Sequence, residues 1–143
     1  MRSIDWKNYG TLSCLAALCL AACIGCEAGV PTHPVSGKVL QADGTPAQSG
    51  LIEFRTTAED GSVINARGQI ESDGTFRLST FGQDDGALAG DHQAILVSPA
   101  TSENSETGVV HSFPAKYRSY ATSDLQFRVE PGQNEFAVQV KAK

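Results

Sequence analysis

Apolar and polar residues alternate along most of the chain, and this alternation predicts strands. Beyond residue 33, apolar side chains recur at every second position, which is the period of a strand with one buried face. Ile52 and Phe54, for example, alternate with Glu53 and Arg55. The pattern predicts seven strands, at residues 35–39, 52–55, 66–71, 76–78, 95–97, 125–130 and 136–141.

The segments between these strands carry the residues of tight turns. They supply Gly or Asn where the backbone needs a positive φ, at Asp43-Gly44-Thr45-Pro46, Asp60-Gly61, Ser72-Asp73-Gly74 and Glu130-Pro131-Gly132-Gln133-Asn134. Residues 114–121 allow at most one helical turn, and residues 80–90 and 98–113 are predicted loops, the second the more mobile. The sequence therefore predicts an all-β fold, a seven-stranded antiparallel β-sandwich of two layers.

The first 22 residues have the pattern of a targeting segment. Arg2 and Lys7 precede an apolar run at 12–22, which is far shorter than the roughly 20 residues that span a bilayer as a helix. Such a run is typical of a secretory signal peptide. The sequence Leu20-Ala21-Ala22-Cys23 resembles the lipobox of bacterial lipoproteins. That resemblance implies cleavage before Cys23, a diacylglyceryl group on its sulfur and an acyl chain on its new amino group, which together anchor a protein stably.

Two alternatives to lipidation at Cys23 stay open. The segment 1–22 can be an ordinary secretory peptide with incidental cysteines, and Cys26 is a second possible lipid site. Cys23 is preferred because Leu20 stands where the lipobox has Leu, whereas Cys26 has Cys23 at that place. Ile24 rather than Asp follows Cys23, which by resemblance to Gram-negative lipoproteins favours the outer membrane, on either of its sides. The predicted organisation is a signal peptide at 1–22, a lipidated tether at 23–33 and one domain at 34–143.

Composition and charge narrow the classes of partner. The chain has 143 residues, of which 41% are hydrophobic and 19% charged, and this fits one globular domain. The formal net charge is −5, which argues against nucleic acid as a partner because phosphate binding relies on clusters of Lys and Arg. With Cys14 and Cys19 removed and Cys23 lipidated, Cys26 is left as the one thiol, so no internal disulfide is expected.

Several motifs together resemble one known domain family. Val35-Ser36-Gly37-Lys38-Val39, followed by Asp43-Gly44-Thr45-Pro46 and Gly50, resembles the opening of carboxypeptidase regulatory-like domains. Later segments are similar to the same domain in small planctomycete-type lipoproteins: Ser72-Asp73-Gly74-Thr75-Phe76, Pro114-Ala115-Lys116-Tyr117, Thr122-Ser123-Asp124-Leu125 and Pro131-Gly132-Gln133-Asn134. The resemblance covers residues 33–141. It implies a transthyretin-like, Greek-key β-sandwich without catalytic residues or a cofactor.

The metal and enzyme alternatives have weak support in the sequence. Asp84 and Asp85, with Asp91, form the one local acidic cluster, but the spacing of a calcium loop is absent. The three histidines, His33, His92 and His111, lack zinc-site spacing. Residues 117–119, Tyr-Arg-Ser, partly match the C-terminal Tyr-Arg-Gly-Ser of 5-hydroxyisourate hydrolases, but far from the end of this chain. We therefore expect no metal site, no cofactor and no enzymatic activity.

One aromatic and basic patch is the candidate ligand site, formed by Phe113, Lys116, Tyr117, Arg118 and Tyr120. Aromatic rings stack on sugars, so this 113–120 loop can belong to a carbohydrate- or small-molecule-binding module. The preferred interpretation is that Phe113 and Tyr117 close one end of the sandwich while Lys116 and Arg118 stay solvated. Four other phenylalanines are in phase with apolar strand faces and are predicted core: Phe54, Phe76, Phe127 and Phe136.

The expected function is interaction or scaffolding by a non-catalytic, lipid-anchored protein of the cell envelope. The membrane is its expected partner through the lipid, and an envelope protein or a glycan is the expected partner of the domain. Exposed strand edges offer one route to a protein partner, by strand addition.

Overall fold

A computed structural model describes residues 29–99 and 113–142, and this part of the chain is all-β. It contains nine strands: β1 (Thr32–His33), β2 (Val35–Leu40), β3 (Leu51–Thr57), β4 (Val63–Gln69), β5 (Thr75–Arg77), β6 (Ala87–Leu88), β7 (Gly90–Val97), β8 (Leu125–Val129) and β9 (Asn134–Gln139). A single 3₁₀ turn at Ala115–Arg118 is the one helical element among these residues, within the predicted range 114–121. The predicted signal peptide, Cys23, Cys26, His111 and most of the predicted loop 98–113 lie outside the described residues.

The strands form two open sheets and one short ribbon. The four-stranded sheet has the order β4-β3-β7-β8, the three-stranded sheet has the order β5-β2-β9, and β1 pairs with β6. Each of the seven predicted strands overlaps a strand of three or more residues, whereas β1 and β6 have two residues each and are too short to show a period. The ribbon pairs Thr32 with Leu88 and His33 with Ala87, so the last residues of the predicted tether join the sheet structure.

The prediction of a wholly antiparallel arrangement was wrong for one pair of strands. Strands β2 and β9 are parallel, with Val35 opposite Asn134 and Leu40 opposite Gln139. The reason is the short turn at 130–133, which carries the chain from β8 in one sheet to β9 in the other. Strand β9 therefore enters the three-stranded sheet at the end where β2 begins.

Apolar side chains of both sheets meet in one core. Phe54 and Phe76 are buried, as predicted, with ring centroids 6.4 Å apart. Phe127 and Phe136 are half-buried and pack against this core, with the Phe127 ring stacked 4.9 Å from that of Phe54. Burial of one large apolar side chain contributes about 1.5–3 kcal/mol, so these contacts between the sheets dominate the stability of the fold.

Two glycines permit close approaches of the backbone. A Cβ at Gly37 would lie 2.2 Å from the Phe136 carbonyl oxygen and 2.6 Å from Cζ of Phe76. Gly86 has φ +87°, and a Cβ there would lie 1.8 Å from the His33 carbonyl oxygen. Larger residues do not fit at either place. Gly37 therefore allows Phe76 to pack against β2, and Gly86 allows the loop before β6 to lie against the N-terminal strand.

The two sheets are joined differently at their two sides. On one side, Arg67 of β4 and Ser79 exchange backbone hydrogen bonds of 2.9 and 2.8 Å. On the other side, β8 and β9 are joined by the turn in which the Asn134 side chain donates to the Glu130 and Gly132 carbonyl oxygens, at 2.9 and 3.0 Å. Residues 120–123 lie against the solvent-facing side of the four-stranded sheet, whereas Phe113 and Tyr117 are buried in the core. Among the described residues, none lies in a helix of the length and apolarity that a membrane crossing requires.

Candidate functional site

A row of polar side chains crosses the solvent-facing side of the four-stranded sheet. Asn65 of β4 is in register with Arg55 of β3, Arg55 with Gln93 of β7, and Gln93 with Gln126 of β8. Successive residues of a strand face opposite sides, and Phe54 and Ala94 face the core. These four residues, named here the polar row, therefore share the outer face of all four strands.

The segment 113–124 is fastened to this outer face through β7. The Ser123 hydroxyl donates to the Ala94 carbonyl oxygen at 2.5 Å. The Gln93 side-chain amide donates to the carbonyl oxygens of Tyr120 and Ser123, at 2.7 and 2.9 Å. Within the segment, the Thr122 hydroxyl donates to the Lys116 carbonyl oxygen at 2.8 Å. The segment is thus held to the sheet by side chains as well as by its own turns.

A buried carboxylate lies beneath this segment. Glu53 is on the outer face, where the alternation predicts solvent exposure, yet it is only 8% exposed. Its Oε1 accepts a 2.8 Å hydrogen bond from the Tyr120 hydroxyl, and its Oε2 is paired with Nε of Arg67. The Arg55 guanidinium carbon lies 3.7 Å from the Tyr120 ring centroid. A charge taken out of water needs such partners, because burial without them costs several kcal/mol.

The Tyr120 hydroxyl is held in its protonated form. Burial raises the pKa of Tyr120 well above its usual range, and the hydrogen bond to Glu53 raises it further. The phenol therefore stays a donor to Glu53 at any physiological pH. This group therefore acts as a hydrogen-bond donor that holds the segment 113–124 to Glu53.

An open groove of about 580 Å³ lies beside the polar row. It is lined by Arg55, Thr56, Thr57, Asp91, His92, Gln93, Gln126, Phe127 and Arg128. Nη1 of Arg128 pairs with Asp91 at 2.9 Å and its Nε pairs with Glu130 at 2.8 Å. The Arg55 Nε donates to Oδ1 of Asn65 at 3.3 Å. The groove therefore combines amides, hydroxyls and charged groups of both signs.

The five residues of the predicted patch do not form one surface. Phe113 and Tyr117 are each 1% exposed and belong to the core, so their rings are not available for stacking on a ligand. Lys116 and Arg118 are exposed, and Lys116 pairs with Asp124 at 2.6 Å. Tyr120 is half-buried with one ring face toward Arg55. This placement matches the preferred interpretation, in which two of the aromatic rings close the end of the core.

The acidic cluster considered as a metal site is occupied by other interactions. Oδ1 of Asp85 accepts the Thr80 N–H at 2.7 Å, and its Oδ2 accepts those of Phe81 and Gly82 at 3.0 and 2.8 Å. Asp91 is paired with Arg128. Across residues 29–99 and 113–142, no group of three or more His, Cys, Asp or Glu side chains is placed to bind a metal ion.

His92 is a buried polar residue that sequence reasoning placed only at a strand start. It is 4% exposed, with its ring 5.8 Å from that of Phe54 and its Nε2 2.8 Å from the Leu88 carbonyl oxygen. Its Nδ1 is buried and has no hydrogen-bond partner within the described part of the chain. Burial lowers the pKa of His92, so the ring is favoured in its neutral form. The sequence did carry a signal for this burial. His92 stands two residues before Ala94, so in a strand both side chains face the same, buried side.

Comparisons with known proteins add little to these observations. No protein-family model matches the sequence, and no curated protein matches it. The chain is similar to the crystal structure of the major plantain pollen allergen Pla l 1, with 17% sequence identity over 78% of this chain and 98% of the allergen chain. The TM-score of this match is 0.33, which is too low to support a conclusion about fold or function.

Proposed function

We propose that this protein is a non-catalytic, lipid-anchored component of the cell envelope whose single domain is an interaction or scaffolding module. One observation carries the proposal. The motif Leu20-Ala21-Ala22-Cys23 ends an apolar run that is too short to span a bilayer as a helix. A cysteine at this place is the acceptor of a lipid anchor in bacterial lipoproteins. Ile24 after Cys23 favours the outer membrane over the inner one.

The proposed domain is a seven-stranded, Greek-key β-sandwich of the transthyretin-like, carboxypeptidase regulatory-like kind. Its support is the arrangement of a four-stranded and a three-stranded open sheet around one core. Seven of the described strands have three or more residues, and Gly37 stands where a side chain would collide with β9. This glycine belongs to the Val35–Val39 motif on which the family resemblance rests.

The charged side chains of the outer face support a binding role over a catalytic one. Glu53 is paired with Arg67 and Tyr120, and Asp91 is paired with Arg128. Carboxylates that act as general acids or bases need access to a reacting atom. Carboxylates paired in this way instead hold the side chains of the outer face in a fixed arrangement. An acidic chain of this kind suits an envelope protein or a glycan as partner and does not suit nucleic acid.

The anchor is tested by intact mass spectrometry of the full chain extracted from membranes with detergent. We expect a polypeptide that begins at Cys23 and carries the added mass of acyl chains. The Cys23→Ser variant should lose that mass and leave the membrane fraction, whereas the matched Cys26→Ser variant should keep both. A chain that begins at Met1, or that carries lipid on Cys26 alone, would contradict the proposal.

A further inference from the structure

We propose that the polar row and the groove beside it bind a neutral glycan. The inference names a ligand class for the interaction role and rests on that proposed function. It places the site on the outer face of the four-stranded sheet, whereas the sequence pointed to the loop at 113–120. The residues that carry it are Asn65, Arg55, Gln93 and Gln126.

The polar row is as long as a short oligosaccharide. It places one polar side chain on each of four adjacent strands, and neighbouring strands lie about 4.8 Å apart. At that spacing the row extends about 14 Å across the sheet, from β4 to β8. Such a length is comparable to that of several sugar rings, and the open groove of about 580 Å³ beside the row leaves room for them next to Arg55, Gln93 and Gln126.

Two central side chains of the row are held in place before any ligand arrives. Gln93 is fixed by the two hydrogen bonds that its amide donates to the segment 113–124. Arg55 is held between the Tyr120 ring and Oδ1 of Asn65. Immobilising a long side chain on binding costs about 0.5–1.5 kcal/mol, so a site with fixed side chains binds more tightly than an ordinary solvated face. Gln126 is exposed and completes the row at the edge of the sheet.

The polar groups of the row and groove match the hydrogen-bonding chemistry of sugars. A sugar hydroxyl both donates and accepts hydrogen bonds, and an exposed amide side chain such as that of Gln126 does the same. Gln93 uses both amide N–H groups on Tyr120 and Ser123, so it can only accept from a ligand, through Oε1. Arg128 is paired with Asp91 and Glu130, whereas the Arg55 guanidinium rests on the Tyr120 ring. The three arginines of the outer face, Arg55, Arg67 and Arg128, are matched in number by Glu53, Asp91 and Glu130, so this face offers no excess of positive charge to a phosphate or another strong anion. A neutral, hydroxyl-rich ligand matches this set of groups.

The apolar side chains of the surface favour a glycan over a protein partner at this site. Protein interfaces depend on a few large apolar or aromatic anchors. In the described part of the chain, the exposed large apolar side chains are Val30, Leu51, Val63, Phe81 and Val97, and none of them lines the groove. The site therefore lacks the anchors of a protein interface while it has the hydrogen-bonding groups of a glycan site.

The test uses the full chain in detergent, immobilised and exposed to soluble neutral oligosaccharides: maltohexaose, cellohexaose, chitohexaose and mannohexaose. We expect saturable binding of at least one of them. Gln126→Ala should weaken that binding about fivefold, which is the effect of losing one hydrogen bond. Gln69→Ala is the matched control, because Gln69 is an exposed glutamine on the same face at the opposite edge strand, and it should leave binding unchanged.

Three results would each overturn the inference: no binding at millimolar oligosaccharide, equal weakening by both variants, or binding that Gln126→Ala leaves intact. Capture of an envelope protein on this face, lost in Gln126→Ala and without any oligosaccharide binding, would overturn it in favour of a protein ligand. The mass of the same preparation keeps the two proposals separate. A lipidated chain that binds no glycan would contradict only the proposed glycan site. An unlipidated chain that binds glycan would contradict only the proposed lipid anchor.

Discussion

The Tyr120 hydroxyl donates a 2.8 Å hydrogen bond to Oε1 of Glu53, 67 residues earlier in the chain. This contact joins the segment 113–124 to the middle of the four-stranded sheet and completes the shell around a buried carboxylate. It also holds the ring on which the Arg55 guanidinium rests. The order of the polar row thus depends on a contact between two distant parts of the sequence.

Removal of the Tyr120 hydroxyl should destabilise the protein measurably. Tyr120→Phe leaves the Glu53 carboxylate with one hydrogen bond fewer, and we expect the free energy of unfolding to fall by about 1–2 kcal/mol. Urea unfolding of the full chain, followed by far-UV circular dichroism, measures the change. Glu53→Gln keeps an acceptor for the hydroxyl, so Tyr120→Phe should cost less in that background. Equal losses in both backgrounds would show that the carboxylate charge adds nothing to the hydrogen bond, and no loss in Tyr120→Phe alone would contradict the prediction.

His92 should make the domain less stable in mild acid. Its folded-state pKa is lowered chiefly by burial, although the Leu88 carbonyl and the Asp91 charge act in the opposite direction. The unfolded chain, with a pKa of about 6.5, therefore binds a proton more readily than the folded one. The free energy of unfolding should be unaffected by this group above pH 7 and should fall as the pH drops below about 6.5.

The matched variants for this pH dependence are His92→Gln and His33→Gln. His92→Gln should flatten the fall between pH 7 and pH 5, measured as the urea midpoint at each pH. His33→Gln removes a half-buried histidine at the N-terminal strand and should retain the contribution of His92. If the urea midpoint of His92→Gln fell with pH as steeply as that of the unsubstituted protein, His92 would not be the group responsible for the loss of stability in acid.

Asp85 should order the loop that precedes β6. Burial acts to raise the pKa of Asp85, but the three backbone N–H groups that its carboxylate accepts together lower it below its usual value. We expect Asp85→Ala to increase amide hydrogen exchange at Thr80, Phe81 and Gly82 at least tenfold. The matched variant Asp84→Asn should leave those three amides protected, since Asn tolerates the positive φ of 55° at that position. Equal exchange in the two variants would mean that the Asp85 side chain does not hold the loop.

Gly37 should tolerate no side chain. The Cβ of Gly37→Ala would meet backbone at 2.2 Å and the Phe76 ring at 2.6 Å, so we expect a loss of about 1–3 kcal/mol in the free energy of unfolding. Gly29→Ala is the control, because nothing lies within 4 Å of the position that its new methyl group would take. Thermal unfolding of both full-length variants measures the difference. A Gly37→Ala variant as stable as the control would remove the packing argument for this part of the fold.

The strands could be predicted from sequence because their signal is local. Ile52 and Phe54 are two residues apart, and their burial follows from the period alone. The same period placed Glu53 in solvent, where it is not, because Tyr120 and its segment cover it from elsewhere in the chain. The polar row could not be predicted from the sequence either. Its four residues come from four strands, and only the register of the sheet brings them together.

The parallel pairing of β2 and β9 ties the beginning of the domain to its end. Strand β2 lies between β5 and β9, and Asn134 donates to the Pro34 carbonyl oxygen, 100 residues earlier in the chain. Contacts at such separation require a large loop to close before they form, and proteins that depend on them fold slowly. A nascent chain that still lacks β9 (Asn134–Gln139) cannot build this sheet. Completion of the three-stranded sheet therefore waits until β9 is free to pair with β2.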